Sequence, residues 1–514
     1  ASVSSSVQYD LTATGSKLNV SGNYDIVTWN FAKGSTRTVG VISVAGSSTL
    51  NDVRIEGTGQ LNLNGPSTWQ VVSSPDLVMK EAHIFSRANV NWLGGQLSWS
   101  SGLQYEQVSG DFIVAFASSV ISVAACDTTV NMFIDNGARL YKSASGTTDI
   151  KVLFTLNSGG SMVVDGGVLS MLNTGSYSGT IHTASGSEIV FGTASHTINA
   201  GSTVDGTGKL SVKQTGSCGA PVLNLQSNVA MASGGQVNVI TPGSIYVTAG
   251  VQAVNGVLFI VTSGTMRVLG GVATTVLNLI QQDGGLLFVD PGAVLSNTQL
   301  TVSGASSNLT VVGVLNGVDH TMNGGIVNVR PGPMSFSGSV SYVGGEYNGP
   351  NGVINLSGTF STSGAALKRF KDLTVFLSGA GTWSPSNDWL LTRTNFRVTG
   401  SGSLAMSCDC TMSSGVTNPM SSLSFEGSSS FEKTSTGSTK LMVNLTIGTQ
   451  AVGRVSAGAL ELYNNTVTNG NLVVNSVLNM QSGNHQIVSA SVQGTGLIQL
   501  FNVSTSLLID SNVD

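Results

Sequence analysis

Charged residues make up only 9% of this 514-residue chain, and proline occurs only 10 times. Disordered chains are rich in both and poor in β-branched residues, which recur here from end to end, so the composition excludes disorder. A formal net charge of −5 excludes the broad basic surface that nucleic acid binding requires. One basic cluster, Lys368, Arg369 and Lys371, is interpreted as a solvated loop, with contact to an acidic glycan as the alternative.

Long apolar runs are also absent from the sequence. The longest ones, such as residues 121–125, have the length of a strand and fall short of the ~20 residues of a membrane-spanning helix. We therefore predict no membrane span. The chain begins at Ala1 without a basic and apolar leader, and it ends within a strand-like pattern, so we expect a fragment or a processed part of a longer chain.

The sequence does contain one pattern that repeats along its whole length. Short stretches alternate between apolar and polar residues and then meet glycine or a Ser/Asn turn, as in Leu61-Asn62-Leu63 and Val237-Asn238-Val239. Alternation with period two between turn residues is typical of half-buried strands. No window has a sustained 3.6-residue apolar period, so we expect very little helix.

A Gly-x-Gly token that precedes two alternate apolar residues sharpens this repeat. The token begins at Gly57, Gly206, Gly400 and Gly494. Small residues allow the chain to turn a corner, after which the alternate apolar side chains point inward. Because the token occurs near both ends of the chain, we expect one architecture over residues 1–514.

The repeated strand pattern favours one all-β architecture over the others. Sandwiches and barrels are closed units joined by hairpins, and propellers have a longer blade repeat, whereas this chain has neither linkers nor a blade signature. Stacked coils of roughly 20–27 residues, about 20 to 25 in number, fit better, since each coil pairs with the next. The predicted fold is all-β: a single-stranded right-handed parallel β-helix, or β-solenoid, continuous over residues 1–514.

The same tokens carry a family resemblance. Together with residues 89–99 and 460–470 they resemble right-handed parallel β-helix proteins of the pectin-lyase-like and adhesin types. The resemblance covers most of the chain and is one of recurring local sequence pattern. It implies a β-helix in a surface-exposed protein, and it carries over no functional residue.

The four cysteines are too few for a disulfide-based scaffold of this length. Cys408 and Cys410 share one face of a predicted strand, so a bond between them would be strained, and partners on a neighbouring coil are favoured. Cys126 and Cys218 stand alone in the sequence. All four are candidate disulfide residues, and metal binding by Cys408 and Cys410 is disfavoured because no Cys/His pair follows at a zinc spacing.

Catalytic chemistry has little support in the sequence. Glycoside hydrolysis needs two carboxylates about 5–10 Å apart, and the closest pairs here are Asp52 with Glu56 and Asp283 with Asp290. Neither an Asp-Asp pair nor a Gly-His-Gly element is present, and the five histidines form no zinc pattern. We predict no catalytic residue, cofactor or metal site. A carboxylate pair assembled across coils stays open.

Two sets of residues remain as candidate sites. Sequons of the Asn-x-Ser/Thr type are candidate glycosylation sites, at Asn19, Asn308, Asn355, Asn444, Asn464 and Asn502. Two tryptophan clusters are predicted to fill the interior, with sugar stacking or a subunit contact as the alternative: Trp92, Trp99, Trp383 and Trp389.

The sequence therefore predicts a secreted or surface-exposed structural or adhesive glycoprotein. We expect it to associate with itself or with other surface proteins, as in a filament or coat, because stacked coils form a stiff rod with open ends. One alternative is a carbohydrate-active enzyme, either a polysaccharide lyase or a glycosidase. A second alternative is a receptor spike that binds glycans.

Overall fold

The structure is a computed structural model. It describes the backbone of residues 3–4, 8–11, 17–20, 23–26, 28–32, 35–38, 40–71, 77–123, 126–248, 251, 256–270, 275–277, 279–384, 388–415, 420–488, 491–501 and 505–510. Within these ranges, side chains are described except at residues 3–35, 37, 275, 276, 279 and 510.

Parallel strand pairing dominates the described part of the chain, which contains no helix. The strands form a β-solenoid of about 21 turns. The predicted all-β solenoid is therefore confirmed. Its right-handed sense stays a prediction, favoured by the handedness of parallel crossovers. No helix long and apolar enough to cross a membrane occurs among the described residues.

Contacts divide the chain into two compact units, Ala1–Met266 and Arg267–Asp514. In each unit the strands stack in three parallel sheets, and the strand Thr265–Val268 contains the division. One continuous solenoid over residues 1–514 stays a prediction.

The three sheets of the first unit are called sheets 1, 2 and 3, and Val90–Ser100 belongs to sheets 2 and 3. Sheet 1 contains Val3–Ser4, Asn23–Ile26, Val41–Val44, Gln60–Leu63, His83–Ser86, Gln104–Gln107, Asn131–Ile134, Leu153–Leu156, Gly175–Tyr177, Ser195–Ile198, Val222–Leu225 and Ser244–Val247. Sheet 2 contains Gln8–Leu11, Thr28–Ala32, Ser48–Asn51, Ser67–Gln70, Val90–Ser100, Gly110–Val114, Ala138–Lys142, Ser161–Val164, Thr180–Thr183 and Thr203–Gly206. Sheet 3 contains Lys17–Val20, Ser35–Thr38, Arg54–Glu56, Leu77–Lys80, Val90–Ser100, Ser119–Ser122, Thr147–Ile150, Val168–Met171, Glu188–Phe191, Lys209–Val212, Gln236–Val239 and Leu258–Val261.

The second unit contains sheets 4, 5 and 6, and four long strands bend from one sheet into another: Val294–Ser303, Val314–Val329, Ser339–Leu356 and Lys368–Leu377. Sheet 4 adds Leu279–Asp283, Thr359–Thr362, Ala380–Trp383, Ser403–Met406, Ser430–Lys433, Val452–Val455, Asn471–Val474 and Val492–Gln493. Sheet 5 adds Thr275–Val276, Met334–Phe336, Asn395–Val398, Ser422–Phe425, Asn444–Ile447, Thr466–Thr468, Asn484–Val488 and Ser506–Asp510. Sheet 6 adds Leu286–Val289, Asn308–Val311, Trp389–Thr392, Thr411–Ser414, Ser438–Met442, Ala459–Leu462, Val477–Met480 and Leu497–Leu500.

Alternation along each strand separates the interior from the surface. In Gln60–Leu63, Leu61 and Leu63 are buried, while the other two side chains point outward. Register aligns Leu61 with Ile84 on the next coil, so inward side chains of successive coils meet. Burial of these aliphatic columns supplies the main stabilisation of the fold, at roughly 25 cal/mol per Å² of apolar surface removed from water.

Two of the Gly-x-Gly tokens turn corners where a side chain has no room. Gly57 and Gly206 have φ values of 112° and 106°, in the left-handed region that favours glycine. A Cβ atom at Gly57 would lie 2.2 Å from the carbonyl oxygen of Thr38, and one at Gly206 would lie 2.0 Å from that of Thr183. Close stacking of the coils therefore requires glycine at these two corners.

Coil length varies because loops protrude at the corners. Side chains that bond across adjacent coils are separated by 19 residues at Asn62 and Ser43, and by 29 residues at Arg397 and Glu426. Sequence alone therefore gives no fixed period.

Candidate functional site

The four tryptophans of the predicted clusters lie in the interior and are at most 1% exposed. Trp99 packs against Tyr105, with ring centroids 5.6 Å apart, and Trp383 packs against Trp389 at 4.9 Å. Trp92 is equally buried and contacts the ring of Phe112. Rings without an exposed surface cannot stack on a sugar. The placement of all four tryptophans therefore supports the prediction that they fill the interior and argues against the alternative of sugar stacking.

The basic cluster is not the solvated loop that the sequence predicts. Lys368 begins the strand Lys368–Leu377 and is fully buried, whereas Arg369 points to solvent. The Lys368 ammonium donates hydrogen bonds to the carbonyl oxygens of Ala366 at 2.5 Å and Gly364 at 3.3 Å. Burial lowers the pKa of Lys368 to about 8. These carbonyls let a polar head lie where sequence patterns predict only apolar side chains.

The cysteines form two disulfides. Cys126 is bonded to Cys218, with Cα atoms 5.4 Å apart, and Cys408 is bonded to Cys410. The prediction that Cys408 and Cys410 have partners on a neighbouring coil is therefore wrong. The Cys126–Cys218 bond joins two loops that lie on the sheet 3 side, beside a cleft of about 180 Å³.

The predicted glycosylation sites lie in different settings. The side chain of Asn19 and the whole of Asn502 lie outside the described residues. The other four are half-buried on the outer surface of the second unit: Asn308, Asn355, Asn444 and Asn464. Glycosylation at all six stays a prediction.

The predicted acidic pairs take part in ion pairs with arginine. In each predicted acidic pair one member is engaged by an arginine: Glu56 by Arg54, and Asp290 by Arg267 at 2.8 Å. No group of three or more His, Cys, Asp or Glu side chains that could hold a metal ion occurs among the described residues.

A carboxyl pair that sequence reasoning did not identify lies on the outer face of sheet 1. Glu106 is hydrogen-bonded to Asp135, and the Asp135 carboxylate also accepts a hydrogen bond of 2.6 Å from the amide of Asn157. The pair joins the strand Gln104–Gln107 to the residue that follows Asn131–Ile134 on the next coil. Adjacent strands of one sheet thus assemble two carboxyl groups that are distant in sequence.

Two phenylalanines flank this pair. Register aligns Phe85, Glu106 and Phe133 on three successive coils, and all three side chains are half-buried and outward-facing. Burial, and then the hydrogen bond and negative charge of Asp135, raises the pKa of Glu106 to about 7, while the positive charge of Arg87 opposes the shift. Near pH 7 a large fraction of folded molecules therefore retains a proton on Glu106.

A groove of about 320 Å³ runs along the outer face of sheet 1 beside Phe133. It crosses four coils, from Asn131–Ile134 to Ser195–Ile198. Its polar side chains are uncharged and consist of hydroxyls and amides: Asn131, Thr155, Thr174, Ser176, Ser195, Thr197 and Asn199. The groove, the carboxyl pair and the two phenylalanines are the candidate functional site.

The groove presents many polar groups that could contact a ligand. The hydroxyls and amides of the groove offer both donors and acceptors.

No protein-family model matches the chain, and no curated protein is detectably similar to it.

Proposed function

We propose that this chain is an extracellular structural or adhesive β-solenoid protein that acts by presenting a surface. The observation that supports this proposal best is the filled interior. Stacked side chains occupy it in both units, and the largest of them, five tryptophans, are at most 1% exposed. Because its interior is filled, the solenoid can contact other molecules only through its outer faces, which carry mainly uncharged Ser, Thr and Asn side chains.

The extracellular setting is supported by the disulfides. All four cysteines are bonded, and stable disulfides are characteristic of oxidising compartments. Partners would be further copies of the chain or other surface proteins, as in a filament or coat.

The test measures assembly and turnover on the same preparation. The chain, purified with its disulfides intact, is followed by sedimentation and negative-stain microscopy over a range of concentrations. It is also incubated with neutral and acidic polysaccharides. We expect ordered assemblies that grow with concentration, without new reducing ends or unsaturated products. Turnover of any polysaccharide, or compact particles at every concentration, would contradict the proposal.

A further inference from the structure

We propose that the groove on the outer face of sheet 1 binds a neutral oligosaccharide that lies along the stacking direction of the coils. This inference rests on the adhesive function proposed above and names the class of ligand. It depends on three features: the spacing of the groove hydroxyls, the adjacent aromatic and carboxyl groups, and the lack of charge along the groove.

The hydroxyls form a ladder with a regular spacing. Register places Phe133, Thr155, Ser176 and Thr197 at the same outward position on four successive coils. Adjacent parallel strands are about 4.8 Å apart, so the three hydroxyls span roughly 10 Å and Phe133 extends the row to roughly 14 Å. One step is close to the length of one sugar residue in an extended glycan, so successive sugars would meet equivalent hydroxyls.

The central hydroxyl of the ladder is oriented by an amide side chain. The amide nitrogen of Asn199 donates hydrogen bonds of 2.9 Å to the hydroxyls of Ser176, which belongs to the ladder, and of Ser178. The first of these bonds orients the Ser176 hydroxyl before a ligand arrives, which reduces the entropy lost on binding. Ser176 itself remains exposed and accessible within the groove.

At one end of the ladder, Phe133 and the carboxyl pair provide a different kind of contact. The half-buried ring of Phe133 offers an apolar face to the C–H side of a sugar ring. Glu106 lies on the adjacent coil and is bonded to Asp135, so a sugar hydroxyl there would meet a strong acceptor. Aromatic and carboxyl groups side by side distinguish a sugar from a purely apolar ligand.

The charge of the site selects against acidic glycans. No lysine or arginine lines the groove, and the carboxyl pair at its end would repel a uronate or sulfate. Arg87 is near Glu106, but its guanidinium donates to Asn64 at 3.2 Å. Neutral sugars are therefore the class that the groove accommodates.

The experiment uses the full chain and an array of immobilised glucose-, galactose- and mannose-based oligosaccharides, with polygalacturonate as the acidic comparator. Affinity for the best neutral oligosaccharide is then measured by calorimetry. Ser176→Tyr fills the groove with a strand-compatible side chain, and we expect it to weaken binding by about tenfold or more. Thr203→Tyr, at an exposed position of sheet 2, is the matched control and should leave the affinity unchanged.

A second pair of variants tests the aromatic contact. Phe133→Ala should weaken binding by about tenfold, because aromatic side chains are frequent anchors of binding surfaces, whereas Phe133→Tyr should retain it. Absence of neutral-glycan binding, a preference for polygalacturonate, or equal affinities of Ser176→Tyr and Thr203→Tyr would overturn the inference. Those outcomes leave concentration-dependent assembly untouched, whereas loss of assembly or polysaccharide turnover would defeat the proposed function itself.

Discussion

Each unit contains one disulfide, but the two bonds enclose very different lengths of chain. In the first unit Cys126 and Cys218 are separated by 92 residues, and in the second unit Cys408 and Cys410 are separated by 2. A crosslink stabilises a fold mainly by restricting the unfolded chain, and that effect grows with the length of the enclosed loop. The two units are therefore expected to depend on their disulfides to different degrees.

The contacts around the first bond extend this difference. Asn173, on the sheet 3 side, donates a hydrogen bond of 2.9 Å to the carbonyl of Asp127 and one of 3.2 Å to that of Lys151. These bonds hold the loop of Cys126 along the coils that separate it from Cys218. The second bond links neighbouring residues of one segment and fastens no distant elements together.

The largest expected effect is the loss of the first disulfide. Replacing Cys126 and Cys218 by serine should lower the free energy of unfolding of the first unit by about 2–4 kcal/mol. The reason is that the crosslink closes a long loop and so reduces the conformational entropy of the unfolded chain. Urea unfolding without reductant, followed by circular dichroism and by limited proteolysis, measures the change.

The matched control is the double variant Cys408→Ser and Cys410→Ser. Because this bond encloses a very short segment, its loss should cost less than about 1 kcal/mol. Equal losses from the two double variants would show that loop length does not govern the stabilisation.

A buried lysine in the second unit provides the next test. The pKa of Lys368 is lowered to about 8 by burial, so between this value and the ordinary value of 10.5 the unfolded chain binds more protons than the folded one. Stability should therefore rise as the pH increases from about 8 to 10, by about 1–2 kcal/mol. In Lys368→Met the part of this rise that Lys368 contributes should be lost, and stability at pH 7 should equal or exceed that of the parent chain.

Lys433 supplies the comparison for this prediction. Its ammonium is also buried and donates to the carbonyl oxygen of Gly437 at 3.1 Å, and burial lowers its pKa. Lys433→Met should have an effect of the same sign. If thermal unfolding of Lys368→Met retains the full rise with pH, the titrating group lies elsewhere.

The strand pattern was predictable because it depends on neighbours in sequence. The tokens at Gly57 and Gly206 lead into the strands Gln60–Leu63 and Lys209–Val212, and the alternate apolar residues of both strands are buried. Turn residues and period-two alternation are local signals, so a single sequence reveals them. The token at Gly494 is weaker, since Leu500 is 51% exposed.

The candidate site depends on register between coils, and no local signal contains that information. Glu106 contacts Asp135 because the register of the two paired strands places Glu106 opposite Phe133, and Asp135 follows Phe133 by two residues. Coil lengths vary too widely for this alignment to be read from the sequence. The setting of Lys368 was predicted wrongly for a related reason. The carbonyl groups that accept its hydrogen bonds belong to the backbone, whose direction is not encoded by residue type.

The smallest expected effect concerns the carboxyl pair of the first unit. Since the pKa of Glu106 is raised to about 7 in the fold, the folded chain retains a proton that the unfolded chain releases near the ordinary value of 4.5. This contribution is fully present below pH 4.5 and is lost as the pH rises through 7. Because Glu106 is partly exposed, we expect less than about 1 kcal/mol.

Glu106→Gln removes this titration while preserving the size of the side chain. The variant and the parent chain should have similar melting temperatures near pH 4.5, and the variant should gain relative stability between pH 5 and 8, because its neutral amide does not repel Asp135. Differential scanning calorimetry across this range measures the difference. Exposed Glu81, which pairs with Lys80 at 3.3 Å, gives the matched control Glu81→Gln, for which no such gain is expected. A constant difference at every pH would show that the pKa of Glu106 is not raised in the folded chain.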